Sequence, residues 1–461
     1  MGQYNRDVWQ AKREQAVHLR RLGYSYSQIA EALGTSKAWV SKWLRRFATE
    51  GWKGLTDRSR RPHRSPRQLP VAVKKAVIQV RSELEAEAAK GEGLKFIGAP
   101  AIRTRLREKG VQPLPSIRSI ERILHQAGLT RPKSRSQEEK ESYPRLRPTQ
   151  PHTLMQVDIY PRRLKGGQAV ACFNAIDVVS RYPFSRAFER RGSQEAVTFL
   201  TELWHENGVP TYTQVDNESC FSGGHHPGVL GRVIRAALIA GTELVFSPIR
   251  HPQSQGTVES FHRIYGQHVW EGTLLANLEE VNAKTRDFLK AYRKRPHPQL
   301  GEQTPQQVHR QGKRRTLAPW AYRLLTTSSQ RWPIYAGRVH FIRRIEANGA
   351  VRVLNLWWQV PDAAIGQKVW VTLTLTPTQA YLDIFDAAPD VPTRHRLVRH
   401  DFPVHEPVLP HPEKTGLMSI KDAFTTWLQH AGQSVAAQAF TMCWRLVHSL
   451  VPRQRSRSFG V

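Results

Sequence analysis

Cysteine is scarce in this chain, which has three in 461 residues: Cys172, Cys220 and Cys443. No two of them form a Cys-x-x-Cys pair, which argues against a disulfide scaffold and a cysteine-rich zinc finger. The amino terminus lacks the apolar region of a secretory signal and does not fit the myristoylation pattern. No uncharged apolar run has membrane-spanning length. We therefore expect a soluble, intracellular protein with no membrane partner.

Acidic residues are also few, with 38 Asp and Glu against 69 Lys and Arg, a formal charge of +31. An excess of this size favours a polyanionic partner, because each neutralised phosphate releases counterions. Composition alone leaves two alternatives, a merely soluble basic protein and a binder of membrane surfaces. The length suggests about three domains.

Residues 1–55 have the pattern of a helix-turn-helix. Ser25 and Gln28 form a capping box that begins a short helix, and Ser36 can cap a second helix over about 37–49. Apolar residues at helical spacing cover one side of this second helix. Its outer face keeps Lys37, Ser41, Lys42, Arg45 and Arg46. We predict that these residues bind DNA in the major groove; an αα-hairpin with a solvated basic face is the alternative.

Residues 56–70 are rich in proline and arginine and are predicted to be an extended linker. Arg60, Arg61 and Arg64 are candidates for a basic arm in a minor groove. A disordered, solvated tether is the alternative.

Residues 71–130 predict a second helical domain similar to a helix-turn-helix. Its last helix begins at Ser116 and leaves Arg118 and Arg122 available to DNA phosphates. Residues 131–150 are polar, charged and proline-containing, and predict a second linker.

The central region, residues 151–312, is predicted to be an α/β domain with a mixed sheet. Strands over 153–160, 168–179 and about 182–189 form an antiparallel meander. A helix beginning at Ser193 leads to a fourth strand, and a helix over about 229–240 leads to a fifth. Sites in such sheets form at strand ends.

Three acidic residues occupy positions where they can meet in that domain. Asp158 lies in the first strand, Asp216 ends the fourth, and Glu259 opens a helix after the fifth. Mg²⁺ prefers carboxylate oxygens and keeps open positions for water and phosphate. Two such ions about 3.5–4 Å apart can clamp both oxygens of an in-line phosphoryl displacement. We predict that these three residues are catalytic and hold the metal.

Several neighbours offer alternative roles. Asp177 can replace one of the three acids, although Arg181 is a ready salt-bridge partner for it. Glu218 can be an acid of the site's third shell, although a solvated loop residue is the expectation. Three histidines suggest a transition-metal site only weakly, because they lack a fixed helical spacing: His225, His226 and His251.

His262 and Arg263 lie one turn beyond Glu259 and are predicted to contact DNA phosphate. An exposed helix face without a ligand is the alternative for both residues.

Residues 150–310 resemble the catalytic core of retroviral integrases and of the DDE transposases of bacterial insertion sequences. The resemblance rests on five segments in order: the strand around Asp158, residues 176–182, the Asp216-Asn217 strand end, the His-Pro-Gln-x-x-Gly-x-x-Glu motif ending at Glu259, and residues 292–305. The interval from Asp216 to Glu259 is longer than in many relatives, and an expanded loop over 222–228 is expected to hold the surplus.

The resemblance implies an RNase H-like fold with Asp158, Asp216 and Glu259 as its metal-binding triad. It also implies two Mg²⁺ ions, with Mn²⁺ as a substitute, double-stranded DNA as element ends and target, and a homo-oligomer on that DNA. A cytoplasmic, nucleoid-associated bacterial protein follows from it.

Residues 330–388 contain short β-rich runs and predict a small β-barrel, which the resemblance implies is SH3-like and helps to hold DNA. A purely structural barrel is the alternative. Residues 389–461 are predicted to be a linker and a helical basic tail. That tail offers a partner surface, for an accessory ATPase or another protein, or forms only a local helical hairpin.

These features together predict a transposase or integrase that cuts element ends and joins them to target DNA. A catalytically inactive, sequence-specific DNA-binding regulator is the first alternative. A hydrolase of RNA–DNA hybrids is the second, and the two DNA-reading modules argue against it.

Overall fold

The computed structural model describes residues 2–58, 68–90, 96–130, 143–223, 226–249, 252–327, 331–362 and 364–412. The chain separates into two compact units, Met1–Pro70 and Val71–Val461. None of the helices in the described ranges is both long and apolar enough to cross a bilayer. These predicted residues and segments lie outside the described ranges: Arg60, Arg61, Arg64, His225, His251, most of the two predicted linkers and the tail from residue 413.

The first unit contains three helices, α1 (Gly2–Arg21), α2 (Tyr26–Leu33) and α3 (Lys37–Glu50), followed by a 3₁₀ turn at Gly51–Leu55. The predicted capping box is present: the Ser25 amide donates to Gln28 Oε1 at 2.9 Å, and the Gln28 amide donates to Ser25 Oγ at 3.4 Å. Ser36 Oγ accepts from the Trp39 amide at 3.2 Å, which begins α3. Both helices of the predicted helix-turn-helix are therefore present, with the predicted caps.

Arg13 fastens the 3₁₀ turn to this helical core. Its guanidinium donates to the Leu55 carbonyl at 2.8 Å and lies 3.9 Å from the ring centre of Trp43. The chain passes so close to α3 that a Cβ on Gly54 would lie 2.5 Å from the Arg46 carbonyl oxygen. The turn therefore packs under α3, and its position depends on a glycine.

The second unit opens with three helices, α4 (Val71–Lys90), α5 (Ala99–Glu108) and α6 (Ile117–Gln126). Their buried stripe includes Val77, Ile102 and Ile120, each fully buried. Arg107 Nη1 lies 2.7 Å from Glu302 Oε2 in the following α/β region, and Arg103 also pairs with Glu302. The second helical module therefore packs against the α/β part of its own unit.

The remaining residues that the structure describes form thirteen strands and seven further α-helices. The strands are β1 (Leu154–Arg163), β2 (Ala169–Asp177), β3 (Pro183–Phe188), β4 (Tyr212–Val215), β5 (Glu243–Phe246), β6 (Ile334–Tyr335), β7 (Gly337–Arg344), β8 (Ala350–Val353), β9 (Leu356–Gln359), β10 (Lys368–Leu375), β11 (Ala380–Phe385), β12 (Arg396–Asp401) and β13 (Val408–Leu409). The helices are α7 (Ser193–Asn207), α8 (Ser219–Ser222), α9 (Arg232–Ala240), α10 (Gly256–Tyr265), α11 (Leu278–Lys294), α12 (Pro305–Gln311) and α13 (Pro319–Thr327).

Nine strands form one mixed sheet in the order β12-β11-β10-β7-β5-β4-β1-β2-β3. β1, β2 and β3 are the predicted antiparallel meander, and β4 and β5 run parallel to β1. One face packs against α7, α9 and α13, and the other packs against α10 and α11 beside β1–β3. The mixed central sheet is therefore confirmed.

The predicted separate SH3-like barrel over 330–388 is not confirmed. β7 pairs in parallel with β5, so β7, β10, β11 and β12 continue the central sheet. Among the described strands, β8 and β9 pair only with each other, and β6 pairs with β13. An unpaired β5 edge would expose backbone donors and acceptors, and β7 covers that edge. Alternation in the sequence predicted these strands, but it does not encode which edge they join.

The apolar core is continuous across this junction. Phe246 on β5 and Phe341 on β7 stack with ring centres 5.0 Å apart and planes 4° apart. Both belong to the core cluster that also contains residues of α7 and α9. The strands after residue 331 thus share one core with the strands of the predicted catalytic domain.

Replacing Phe341 with alanine should therefore destabilise the whole α/β region by about 3–5 kcal/mol. Urea denaturation followed by tryptophan fluorescence and by circular dichroism measures this change. Trp357→Ala is the control, because that side chain is 52% exposed and its loss should change stability by about 0.5 kcal/mol or less. A separate early transition confined to residues after 331 would contradict the shared core.

Candidate active site

The register of β1 and β4 brings two of the predicted acids to one place. The strands pair in parallel with Gln156 opposite Gln214. The same offset, continued for two residues, sets Asp158 level with Asp216, which directly follows β4. Alternate residues of a strand point to the same face, so both carboxylates lie on the face of the two glutamines. Neighbouring strands are about 4.8 Å apart, which places the acids side by side.

The two glutamines tie the loop before Glu259 to the sheet. Gln156 Nε2 donates to Gln214 Oε1 at 3.1 Å and to the Ser254 carbonyl at 3.3 Å. Gln214 Nε2 donates to Ser247 Oγ at 2.9 Å. The Val258 amide donates to Gln156 Oε1 at 3.3 Å, at the start of α10.

Gln255 completes this network, because its Nε2 donates to the same Ser247 Oγ at 2.9 Å. We call Gln156, Gln214, Ser247 and Gln255, all buried, the glutamine cluster. Sequence reasoning missed it, although the signal was present: the tripeptide Gln-Val-Asp occurs at 156–158 and again at 214–216. Glu259 lies in the first turn of α10. The glutamine cluster therefore holds this turn next to β1 and the end of β4.

Burial and like charge perturb these acids strongly. Burial raises the pKa of Asp158 to about 7, and the charges of Asp216, Glu218 and Glu259 add to the shift. Burial also raises the pKa of Asp216 to about 6, with the charge of Glu218 adding to it. Glu259 has a pKa raised by burial. Asp216 and Glu259 therefore each lie within electrostatic range of Asp158.

Glu218 is part of this acidic group rather than the solvated loop residue that was expected. It is half-buried, and its charge acts on both aspartates. Arg191 Nη1 lies 3.7 Å from Glu218 Oε1. The expanded loop that follows closes at two touching glycines, since a Cβ on Gly223 would lie 2.5 Å from the Gly231 Cα.

The donor chemistry of the group suits Mg²⁺. It offers carboxylate oxygens, the ligands that hard divalent cations prefer, on neighbouring strand ends. Among the described residues, no three His, Cys, Asp or Glu side chains are grouped closely enough to hold an ion as they stand. Asp158, Asp216 and Glu259 therefore fit the ion by the chemistry of their donor atoms.

His262 lies in this site and not on the exposed face of α10. It is buried, and its Nδ1 lies 3.7 Å from Asp158 Oδ2. Burial, together with the charge of Arg162, lowers the pKa of His262 to about 4, so the ring is neutral at pH 7. The predicted contacts of His262 and Arg263 with DNA phosphate stay predictions, and Arg263, the next residue, is exposed.

Asp177 and Arg181 have structural roles. The fully buried Asp177 carboxylate accepts from the His152 amide at 2.7 Å and from Ser180 Oγ at 2.8 Å. Arg181 Nη1 donates to Thr257 Oγ1 at 2.9 Å, in the first turn of α10, two residues before Glu259. Asp177 thus stabilises the turn after β2, whereas Arg181 steadies the start of α10 instead of pairing with Asp177.

The C-terminal strands also reach this site. Arg343 on β7 is buried and donates through Nη2 to Asn217 Oδ1 at 2.9 Å. Asn217 Nδ2 in turn donates to the Ser247 carbonyl at 2.6 Å. Burial lowers the pKa of Arg343 to about 10, which leaves it charged at pH 7. The residue after Asp216 is therefore held by a side chain more than a hundred positions away.

The predicted DNA-contact residues of the helical modules are mostly accessible. Lys37, Lys42 and Arg45 on α3 are exposed, and Ser41 is half-buried. Arg46 is half-buried, donates to the Thr56 carbonyl at 3.1 Å and packs 4.5 Å from the Trp43 ring centre. On α6, Arg118 and Arg122 are both exposed. Arg46 therefore has an internal role that the sequence pattern did not predict.

The raised pKa of Asp158 carries a stability cost with a definite pH dependence. A carboxyl whose pKa is higher in the folded state binds a proton more tightly there, so stability falls as pH rises from about 4 to about 7. Asp158→Asn removes this cost. We expect the variant to melt several degrees higher than the parent at pH 8 in EDTA, with the gain shrinking toward pH 4.

Thermal unfolding of both proteins across that pH range measures the effect. Asp287→Asn is the control, because Asp287 is an exposed residue of α11. An equal melting temperature for parent and Asp158→Asn at pH 8 would contradict the buried, mutually repelling acids.

Solved structures of retroviral integrases align with parts of the chain. The catalytic core domain of HTLV-2 integrase in complex with magnesium shares 15% identity over 35% of this chain and 99% of its own, with a TM-score of 0.28. The catalytic core domain of BIV integrase shares 18% identity over 35% and 95%, with a TM-score of 0.28. A simian T-cell lymphotropic virus intasome in complex with PP2A regulatory subunit B56 gamma shares 13% identity over 70% and 99%, with a TM-score of 0.32.

Two family descriptions match separate stretches of the sequence. The winged helix-turn-helix family matches residues 13–73, which include α2 and α3. The integrase core domain family matches residues 240–305, which include the glutamine-cluster loop and Glu259. One stretch of the chain is thus similar to the winged helix-turn-helix family and another to the integrase core domain family, which is consistent with a DDE transposase.

Proposed function

We propose that this protein is a DNA transposase or integrase that cuts a phosphodiester at the end of a DNA element and joins the freed 3′ hydroxyl to target DNA. The observation that carries this proposal is the parallel register of β1 and β4. It sets Asp158 beside Asp216, while the glutamine cluster holds the loop of Glu259 against the same strands. A buried acidic group of this kind suits metal-assisted phosphoryl transfer.

Asp158, Asp216 and Glu259 are the residues that would hold Mg²⁺. When bound, the metal would supply an activated water and stabilise the charge of the leaving oxygen. The raised pKa values of both aspartates mean that metal binding displaces protons from them. Because the His262 ring beside Asp158 is neutral, it adds no positive charge next to the cation. No tyrosine or serine nucleophile is required.

DNA recognition is assigned to the helical modules. Helix α3 offers Lys37, Lys42 and Arg45 to a major groove, and α6 offers Arg118 and Arg122 to phosphates. Arg263 lies on the exposed side of α10, close to the acidic group. Element ends have to be handled in pairs, so the working form is expected to be a homo-oligomer on DNA, in the bacterial cytoplasm with the nucleoid. An accessory ATPase bound through residues 413–461 stays a prediction.

Asp216→Asn should abolish DNA joining and leave end binding nearly unchanged. The amide retains an oxygen that can accept from the Glu218 amide, as Asp216 Oδ1 does at 3.1 Å, but it removes the charge that holds the metal. A strand-transfer assay with Mg²⁺ measures joining, on duplexes taken from the DNA flanking the coding sequence. Asp287→Asn is the matched control and should join normally. Joining by Asp216→Asn at the parental rate would exclude this catalytic assignment.

Removing Lys42 and Arg45 together should weaken binding to those duplexes. If each contacts a phosphate, the slope of log affinity against log salt should fall by about two. Titrations at several salt concentrations measure the slope. Lys75→Ala, an exposed lysine of α4, should leave it unchanged. An unchanged slope in the double variant would mean that α3 does not face DNA.

A catalytically inactive DNA-binding regulator is the second candidate. One observation favours it: within the described residues the acids are not grouped as a ready metal site. It predicts that the parent protein binds the flanking DNA but leaves it uncut with Mg²⁺ and with Mn²⁺.

A further inference from the structure

Residues 143–149 lie across the face of the sheet that carries the acidic group. Tyr143 and Leu146 pack against Val245, Ile342 and Trp370, on β5, β7 and β10. The Arg147 amide donates to Asp390 Oδ2 at 2.5 Å. The predicted linker over 131–150 therefore ends in a segment anchored on the catalytic region.

A cavity of about 300 Å³ lies between this segment and the glutamine-cluster loop. Its lining includes Gln156 and Gln214 on the sheet, Ser254 on the loop, Thr257 at the start of α10, and Arg145 and Arg147 on the segment. Among the described residues that line it, two are arginines and none is acidic. Both arginines are exposed, so their guanidinium groups are available to an anion.

The cavity adjoins the acidic group. Gln156 and Gln214 precede Asp158 and Asp216 by two residues on the same strand face, a step of about 6.6 Å. Tyr143, which also lines the cavity, lies within electrostatic range of Glu259, whose charge adds to the burial that raises the pKa of the Tyr143 hydroxyl. The cavity therefore lies two residues along the strands from Asp158 and Asp216.

We propose that this cavity, the arginine-lined cavity, holds the nucleotide adjacent to the scissile phosphate, with its phosphate bound by Arg145 and Arg147. The planar guanidinium fork matches the oxygens of a phosphodiester. An occupant next to the carboxylates has to belong to the strand that is being cut, which makes it a DNA nucleotide. The inference rests on the proposed function and names a DNA-binding site within it.

Methylphosphonate substitution tests the contact directly. A single methylphosphonate, which removes the charge of one phosphate, is placed in turn at each position around the cleaved bond of a flanking-sequence duplex. Cleavage is measured with Mg²⁺, and binding is measured separately in EDTA, so that the second readout needs neither metal nor activity. The proteins are the full-length parent, Arg145→Ala, Arg147→Ala and Arg163→Ala. Arg163 is an exposed residue at the far end of β1 that donates to the Gly167 carbonyl at 2.8 Å.

Arg145→Ala and Arg147→Ala should each slow cleavage of the unmodified duplex at least tenfold, and Arg163→Ala should match the parent. Methylphosphonate at the adjacent position should weaken parental cleavage and binding. It should add little to either arginine variant, because the contact is already lost in that variant. Damage to the fold alone would not produce this dependence on one phosphate.

Equal methylphosphonate penalties in the parent and in both arginine variants, at every position, would overturn the arginine-lined cavity as a nucleotide site while leaving the proposed function intact. A parent that binds with the expected arginine dependence but cuts no DNA would retain the cavity and refute the transposase function. Absence of both effects would refute both.

Discussion

The site depends on the hydrogen bonds of the Gln156 and Gln214 side chains. These bonds join the two side chains to each other and to residues 254–258. Buried amides have to find partners, and a buried donor or acceptor left without one costs about 1–3 kcal/mol. Here the side-chain amides of Gln156 on β1 and Gln214 on β4 bond to each other, and Gln156 also bonds to the chain that follows β5. These bonds therefore hold three segments that are distant in the sequence at one point. Asp158 and Asp216 lie two residues further along the same strand directions, so the proximity of their carboxylates follows from the pairing of the two glutamines.

That proximity is unfavourable without a cation. Burial raises the pKa of Asp158 to about 7, with the charges of Asp216, Glu218 and Glu259 adding to the shift, and raises the pKa of Asp216 to about 6, with the charge of Glu218 adding to it. The core of the domain stabilises the pair, because α10 packs Val258 and Phe261 into the apolar cluster under β2. The burial of these apolar side chains thus offsets the folding free energy that is lost by burying the carboxylates. The proposed divalent cation would offset the charge of these acids.

Two segments of the second unit that are far apart in the sequence converge on the same face of the sheet. Arg343, from a strand late in the chain, holds Asn217 beside Asp216, while the segment around Tyr143 lies on Ile342 and Trp370. The sheet extension therefore supplies both a brace for the strand end and a platform for the arginine-lined cavity. A free-standing barrel would supply neither of these, because both depend on β7 pairing with β5.

Sequence alone determined the features that are written within a few residues. The caps at Ser25 and Ser36, the meander of β1–β3 and the positions of the acids on strand and helix ends all follow from local hydrogen bonding and side-chain periodicity. Tertiary structure decided the rest: that β7 joins the edge of β5, that His262 points inward to Asp158, and that Arg181 serves Thr257 instead of Asp177. Edge pairing and burial depend on surfaces brought together from distant parts of the chain, and no local pattern specifies which surfaces meet.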